Sequence, residues 1–328
     1  MRRRFFLLIA FFVAASPASA YVRGVDVSHY RGKVDWTRVQ RGGYRFAFAE
    51  ASNGFAADWT YWTNRLGAER RKLAFGAFHV ARPAGRSRSA IVADAIDEAD
   101  FFVSVAQPRT GELAPVLDLE RTGRLSASSL RLWTSTWLDE VWHQVGARPT
   151  IYASPSFWRR SMRDASVFAT SGSRLWIAHW HVRAPRVPAA NWASTGWSFW
   201  QWTDCSHVPG VRGCADGDVF SGGRIAAAVM APPPLSIEPP TITGVPQTGQ
   251  TLSASAGTWQ AGSTPDLSYA WERCTDTTGD DCSTIVGAAT STYTVTAADV
   301  GSTVRVVVGA TSRARTAWQP STAVPVNA

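Results

Sequence analysis

The 328-residue chain has only four cysteines and no Cys-x-x-Cys or His-Glu-x-x-His spacing, so the common zinc-binding patterns are missing. No apolar run after residue 20 approaches the roughly 20 residues that a helix needs to cross a bilayer. Basic residues are scattered singly and form no stripe, which argues against a nucleic-acid partner. No serine or cysteine stands with a convincing base, so nucleophilic catalysis of that kind has no candidate. Charged residues are few, at 18% against 45% apolar, a balance that suits packed globular structure and not disorder.

What the chain does hold begins with an export pattern. Arg2 to Arg4 are basic, Phe5 to Ala15 are apolar, and Ala18-Ser19-Ala20 is a small-residue cleavage site. Residues 1–20 therefore read as a secretory signal peptide, and the mature chain is expected to begin at Tyr21, extracellular or associated with a cell wall. Removing Arg2, Arg3 and Arg4 from 33 basic residues leaves 30 against 25 acids, a net charge of +5 that mildly favours polyanionic surfaces. Four cysteines allow three pairings. Cys205 lies close to Cys214, and Cys274 to Cys282, so two short-loop disulfides are expected of an exported protein. Thirteen of the sixteen Trp precede residue 230. They mark either a Trp-rich core or a surface that stacks on sugars, bases or lipids.

The composition changes near residue 231. Ala231-Pro232-Pro233-Pro234 and Glu238-Pro239-Pro240 suggest a stiff linker over 229–240, between a unit at 21–228 and another at 241–328. In the first unit, strand-like runs at 24–28, 46–50, 73–80, 113–119 and 150–153 alternate with helical patterns through Trp62, over 90–105 and over 126–145. That order predicts a mainly parallel sheet with right-handed crossovers. Three further runs, at 174–179, 197–202 and 216–220, leave room only for loops or very short helices. The fold class is therefore α/β, a TIM-like barrel that starts regular and ends irregular, with its chemistry expected at the C-terminal rim of the strands. The second unit alternates at period two between turn signals and reads as a small all-β sandwich. Tyr293 followed by Asp299-Val300-Gly301 resembles the strand corner of immunoglobulin-like domains. Trp259, Trp271 and Trp318 are candidate platforms there, with Trp271 better suited to the core.

Ala114-Pro115-Val116-Leu117-Asp118-Leu119-Glu120 ends an apolar strand in two acids spaced by two residues, which places both carboxylates on one face. Neighbouring carboxylates raise each other's proton affinity, so one can stay protonated while the other is an anion. Glycosidic cleavage needs that division between a general acid and a charge near the oxocarbenium-like carbon. The tripeptide alone equally fits rim acids that bind water or Arg, or a divalent-metal site with Asp26 and Asp216.

The surrounding blocks narrow the choice. Gly24-Val25-Asp26-Val27-Ser28, Val34-Asp35-Trp36, Phe46-Ala47-Phe48, then Asp58, Tyr61, Asn64 and Gly76-Ala77-Phe78-His79 stand in order before Pro115 to Glu120. Ile151-Tyr152, Trp176-Ile177-Ala178, Trp200-Gln201-Trp202 and Asp216 to Phe220 follow. Over most of residues 22–223 this order resembles glycoside hydrolase family 25, the N-acetylmuramidase lysozymes of the Chalaropsis type. The resemblance implies Glu120 as general acid, Asp118 as the group that orients or stabilises the substrate's acetamido function, and Asp26 and Asp216 as supporting carboxylates. It implies Tyr152, Trp200 and Gln201 as sugar-binding residues, and no metal or organic cofactor. His79 at a strand end is a further substrate-facing candidate, although a hydrogen-bonded wall residue is the commoner use of such a position. The chain departs from the family pattern at Glu50 and Asn53. Glu50 would either face the cleft as a substrate-binding carboxylate or pair with an Arg such as Arg82.

The function expected from these residues is a secreted lysozyme that cuts β-1,4 bonds between N-acetylmuramic acid and N-acetylglucosamine, with bacterial peptidoglycan as partner and a monomer as working state. Two alternatives stay open: a wall-binding protein on a catalytically weak barrel, and a glycosidase for another N-acetylated glycan such as chitin.

Overall fold

Phe46, Phe48 and Glu50 alternate with alanines, and that period of two decides which side chains fill a barrel and which face outward. In the computed structural model, which describes residues 21–275 and 281–327, seven strands lie side by side in chain order. They are β1 (Val22–Val27), β2 (Phe46–Asn53), β3 (Ala74–Val80), β4 (Val116–Asp118), β5 (Thr150–Ala153), β6 (Leu175–Ala178) and β7 (Phe199–Ser206), each parallel to the next. An eighth, β8 (Ala215–Phe220), runs antiparallel between β7 and β1 and closes the barrel. The signal peptide expected over residues 1–20 lies outside the described residues.

Helices α1 (Trp36–Arg41), α2 (Tyr61–Arg70), α3 (Arg88–Ala106) and α4 (Ala127–Val145) cover the outside of the first strands. Asp35, Ser87 and Ser126 begin α1, α3 and α4 by accepting backbone N–H groups that the first helical turn leaves unpaired. Beyond β5 the connections shrink to α5 (Pro155–Ser161), α6 (Val167–Thr170) and a short turn, as the loop lengths predicted. Among the described residues no helix is long and apolar enough to cross a membrane.

The barrel interior is aromatic. Phe48 stacks on Trp176 with ring centroids 4.5 Å apart and meets Phe199 edge-on at 5.1 Å. Gly24 and Gly76 make this possible, because a Cβ on either would lie 2.1 Å from the Phe46 ring or 2.5 Å from the Phe48 ring. A second apolar layer, with Phe102, Trp133, Trp137 and Ile151, fills the space between barrel and helices. Each buried Phe contributes roughly 1.5–3 kcal/mol, so the Trp-rich reading as core holds for this layer. It fails for Trp59, Trp62, Trp180 and Trp202, which stay exposed.

The rest of the chain is all-β. Strands β9 (Leu235–Glu238), β10 (Thr251–Ala254), β11 (Thr258–Gln260), β12 (Asp266–Cys274), β13 (Thr292–Thr294), β14 (Thr303–Ser312) and β15 (Arg315–Pro320) form small antiparallel sheets around Leu252, Trp271 and Val306. The Pro-rich stretch is not free chain, since β9 within it pairs with β11. The Tyr293 hydroxyl donates to Asp299 at 2.6 Å, which ties the corner noted in the sequence. Both expected disulfides, Cys205–Cys214 and Cys274–Cys282, are present.

The all-β part docks at the pole opposite the C-terminal rim of the strands. Helices run antiparallel to the strands they follow, so the C-terminal end of α4 lies at the N-terminal end of the barrel. There the Thr316 N–H donates to the Gly146 carbonyl at 2.7 Å, and Trp318 stacks on His143 at 4.8 Å. Gly146 has φ +70°, and a Cβ on it would lie 2.4 Å from the Thr316 carbonyl oxygen. Gly146→Ala is therefore expected to cost about 1–2 kcal/mol from the left-handed backbone alone. Thermal unfolding measures this, and an unchanged midpoint would mean that Gly146 does not hold the left-handed conformation described.

Candidate active site

Strand parity carries five acids to the same end of the barrel. Asp118 closes β4 and Glu120 lies two residues on, Asp26 is paired in register with Asp216 across β1 and β8, and Glu50 shares the inward face of β2 with Phe46 and Phe48. They line one cavity of about 280 Å³ with Tyr152, Trp176 and Gln201. A second lobe of about 470 Å³ adjoins it, lined by Arg159, His179, Arg186 and other residues, and Glu120 and Trp180 belong to both. Glu120 thus stands where the two lobes meet.

Hydrogen bonds fix the floor. Gln201 donates to Asp26 Oδ2 at 2.8 Å, while its carbonyl oxygen accepts from the Tyr152 hydroxyl at 2.8 Å and the Trp180 indole at 2.9 Å. Trp176 donates to Asp218 Oδ1 at 2.9 Å. Asp118 Oδ1 is buried and, among the described residues, has no hydrogen-bond partner.

The electrostatics follow from crowding. Burial pushes Asp26 well above the usual carboxylate range, and the charges of Asp218 and Asp216 add to the effect. Burial likewise raises Asp118, reinforced by Glu120 and Glu50. Partial desolvation raises Glu120, with Arg121 opposing and Asp216 assisting. Asp216 is raised by burial against the pull of Arg31, whose Nη2 is 3.6 Å away. Asp26, Glu50, Asp118, Glu120, Asp216 and Asp218 crowd together and cannot all ionise, so the site retains protons that an isolated acid would have lost at neutral pH, and Asp204 is a further carboxylate on the lining.

Three sequence expectations change. Trp200 is buried against the helix layer and donates its indole N–H to the His179 carbonyl, so it does not line the cavity. Adjacent residues on a strand face opposite ways, and Gln201 takes the inward position. His79 is fully buried on the outer face of β3, bonded to Glu98 at 2.7 Å and to Ser52 at 2.9 Å, and does not line the cavity. Glu50 lines the cavity, and the pairing with Arg82 is not made, since Arg82 Nε donates to Asn53. Trp176, Trp180 and Asp218 were missed. Burial pushes Asp218 up to about 8, and its place two residues after Asp216 on the same strand was the available signal.

His29, Glu50 and Asp58 bring one ligand atom each within 4.8 Å of one another. Asp58 is already saturated, because one oxygen accepts from the His29 backbone and ring and the other from the Thr60 N–H and hydroxyl. The group reads as a hydrogen-bonded wall, not as a metal centre.

Residues 25–211 match the model of glycosyl hydrolases family 25. The chain belongs to that family. Among its relatives, Lysozyme M1 of Streptomyces globisporus is 32% identical over 220 residues, 64% of this chain and 71% of that protein. A bacterial lysozyme structure from Streptomyces coelicolor is 29% identical, with a TM-score of 0.58, and covers 64% of this chain and 97% of its own. The spore cortex lytic enzyme SleM of Clostridium perfringens shares the fold at 18% identity, with a TM-score of 0.55 over 92% of this chain and 98% of its own. As a family 25 member the protein is a glycoside hydrolase, and the matched region holds Asp26, Glu50, Asp118 and Glu120 of the rim described above, while Asp216 lies just beyond it.

Proposed function

We propose that the chain is an exported muramidase that hydrolyses the β-1,4 bond between N-acetylmuramic acid and N-acetylglucosamine in bacterial peptidoglycan. The observation that carries this reading is the place of Glu120, at the junction of two sugar-sized lobes with its proton affinity raised. A glycan laid across both lobes sets its bridging oxygen beside the Glu120 carboxyl, which protonates it as the bond breaks. Asp118, with a free buried oxygen, holds the acetamido group of the sugar in the first lobe. Asp26 and Asp216 stabilise the positive charge that develops, and Tyr152, Trp176, Trp180 and Gln201 shape the sugar sites.

Arg159 and Arg186 in the second lobe favour peptidoglycan over chitin, because muramyl peptides carry carboxylates and chitin is neutral. Two disulfides and the leader pattern over residues 1–20 support export. In this reading residues 21–228 are the catalytic barrel, 229–240 the connection, and 241–328 an immunoglobulin-like spacer held away from the mouth. Digestion of purified peptidoglycan with mass spectrometry of the fragments tests the assignment. The expected products end in reducing N-acetylmuramic acid with its lactyl-linked peptide. Reducing N-acetylglucosamine ends, or release from chitin alone, would overturn it.

A further inference from the structure

A second cleft, of about 860 Å³, lies outside the catalytic cavity between α1, the C-terminal end of α2 and the loop joining β7 to β8. Its lining includes five permanent cations, Lys33, Arg38, Arg70, Arg71 and Arg212, against one carboxylate, Asp35. Asp35 is already engaged, since its Oδ1 caps α1 by accepting from the Thr37 and Arg38 backbones. Among the described residues none of the five cations forms an ion pair. Arg70 and Arg71 suit the negative end of the α2 dipole, but Lys33, Arg38 and Arg212 have no such use within the fold.

Trp36 lines this cleft with its ring and is 5% exposed, while its indole N–H is buried beside Gly67 of α2, out of a ligand's reach. The walls are held in place before any ligand arrives. Cys205–Cys214 closes the β7–β8 loop, and the Asp35 N–H donates to the Gly210 carbonyl at 2.8 Å, which fastens that loop to the start of α1. A rigid site loses little entropy on binding.

We propose that this cleft binds a linear polyol-phosphate chain. The cations sit on three separate elements, so one small anion cannot neutralise them, whereas anions repeated along a polymer can. The cleft offers almost only donors, and a phosphodiester is an acceptor without N–H groups of its own. A polypeptide of acidic residues would bring amide donors that find no acceptor here. Arginine forks also match two phosphate oxygens at once. The segment from Ser28, which lines the catalytic cavity, through Arg31, paired with Asp216, to Lys33 links the two sites. A phosphate chain attached to the glycan would reach the cleft while the sugar occupies the catalytic lobes.

The test uses the full chain and a synthetic glycerol-phosphate decamer, with poly-L-glutamate of equal charge as the comparison, by titration calorimetry at low salt. The decamer is expected to bind, to weaken as salt rises, and to bind at least about tenfold more tightly than the polyglutamate. Arg38→Ser with Arg212→Ser should weaken the decamer by about tenfold or more. Hydrolysis of phosphate-free peptidoglycan should be unchanged in the double variant, whose substitutions are exposed. This separates failure of the cleft from failure of the muramidase reading. No decamer binding, equal binding of polyglutamate, or wild-type affinity in the double variant would overturn the proposal.

Discussion

Glu120→Gln is expected to slow peptidoglycan hydrolysis by about 10²–10⁴-fold, the usual contribution of a general acid, with wall binding and thermal unfolding close to wild type. The amide has the same size and sits at the open junction of the two lobes, so the substitution leaves no buried charge unpaired. What it removes is the proton. In the wild type that proton is retained because desolvation raises Glu120 and Asp216 adds repulsion, while the Arg121 guanidinium pulls the other way. Activity that needs protonated Glu120 must fall as pH rises through its elevated pKa, which gives the alkaline limb of the rate profile. Arg121→Gln removes the opposing cation, so the same limb should move to higher pH. Initial rates on purified walls across a pH series read both variants. Wild-type turnover in Glu120→Gln would remove it from the role of acid, and an alkaline limb unmoved by Arg121→Gln would assign that limb to another group.

The barrel was legible because its two periods are clean. Asp118 with Glu120, and Asp26 with Asp216, came from strand ends and ordered blocks, and they converge on one cavity. The expectations that failed did so where parity was not followed. Phe78 and Gln201 face inward, so their neighbours His79 and Trp200 must face the helices. Reading both Trp200 and Gln201 as sugar-binding residues asked one strand to present adjacent side chains to the same face. Other features had no local signal. Register shifts between Glu50 and Ser52, which sends Ser52 to the outer face beside His79 although it lies two residues after an inward Glu50. The partners that bury Trp36 come from α2, and its unpaired N–H appears only in three dimensions. The docking of Trp318 on His143 joins residues far apart in the chain, and no pattern in either segment announces it.

Glu98→Ala is expected to destabilise the protein by about 2–5 kcal/mol, from two buried donors left without an acceptor at roughly 1–3 kcal/mol each and from the cavity that remains. Glu98 is 1% exposed and His79 fully buried, and the His79 ring stacks on Trp137 at 5.4 Å. Burial lowers the His79 pKa more than Glu98 raises it, so the ring is neutral at pH 7, with Nε2–H given to Glu98 and Nδ1 accepting from Ser52. Glu98 Oε2 also accepts the Arg82 backbone N–H at 3.1 Å. Alanine would leave two buried donors without acceptors and a cavity beside Trp137. The wild-type pair also sets a pH signature. A folded pKa below the unfolded one means that this stability is present above the ordinary histidine range and is lost as pH falls through it toward the folded value. Denaturant unfolding at pH 7 and pH 5 measures both effects, and His79→Phe with Glu98→Leu should restore most of the loss at pH 7 while abolishing the histidine's part of the acid sensitivity. A cost below about 1 kcal/mol for Glu98→Ala would show that the pair is not the clamp described here. The clamp matters for catalysis through position alone. Ser52 and His79 join the outer faces of β2 and β3 directly behind Glu50 and Phe78, so the histidine that sequence reading offered to the substrate instead helps hold two walls of the cavity in register.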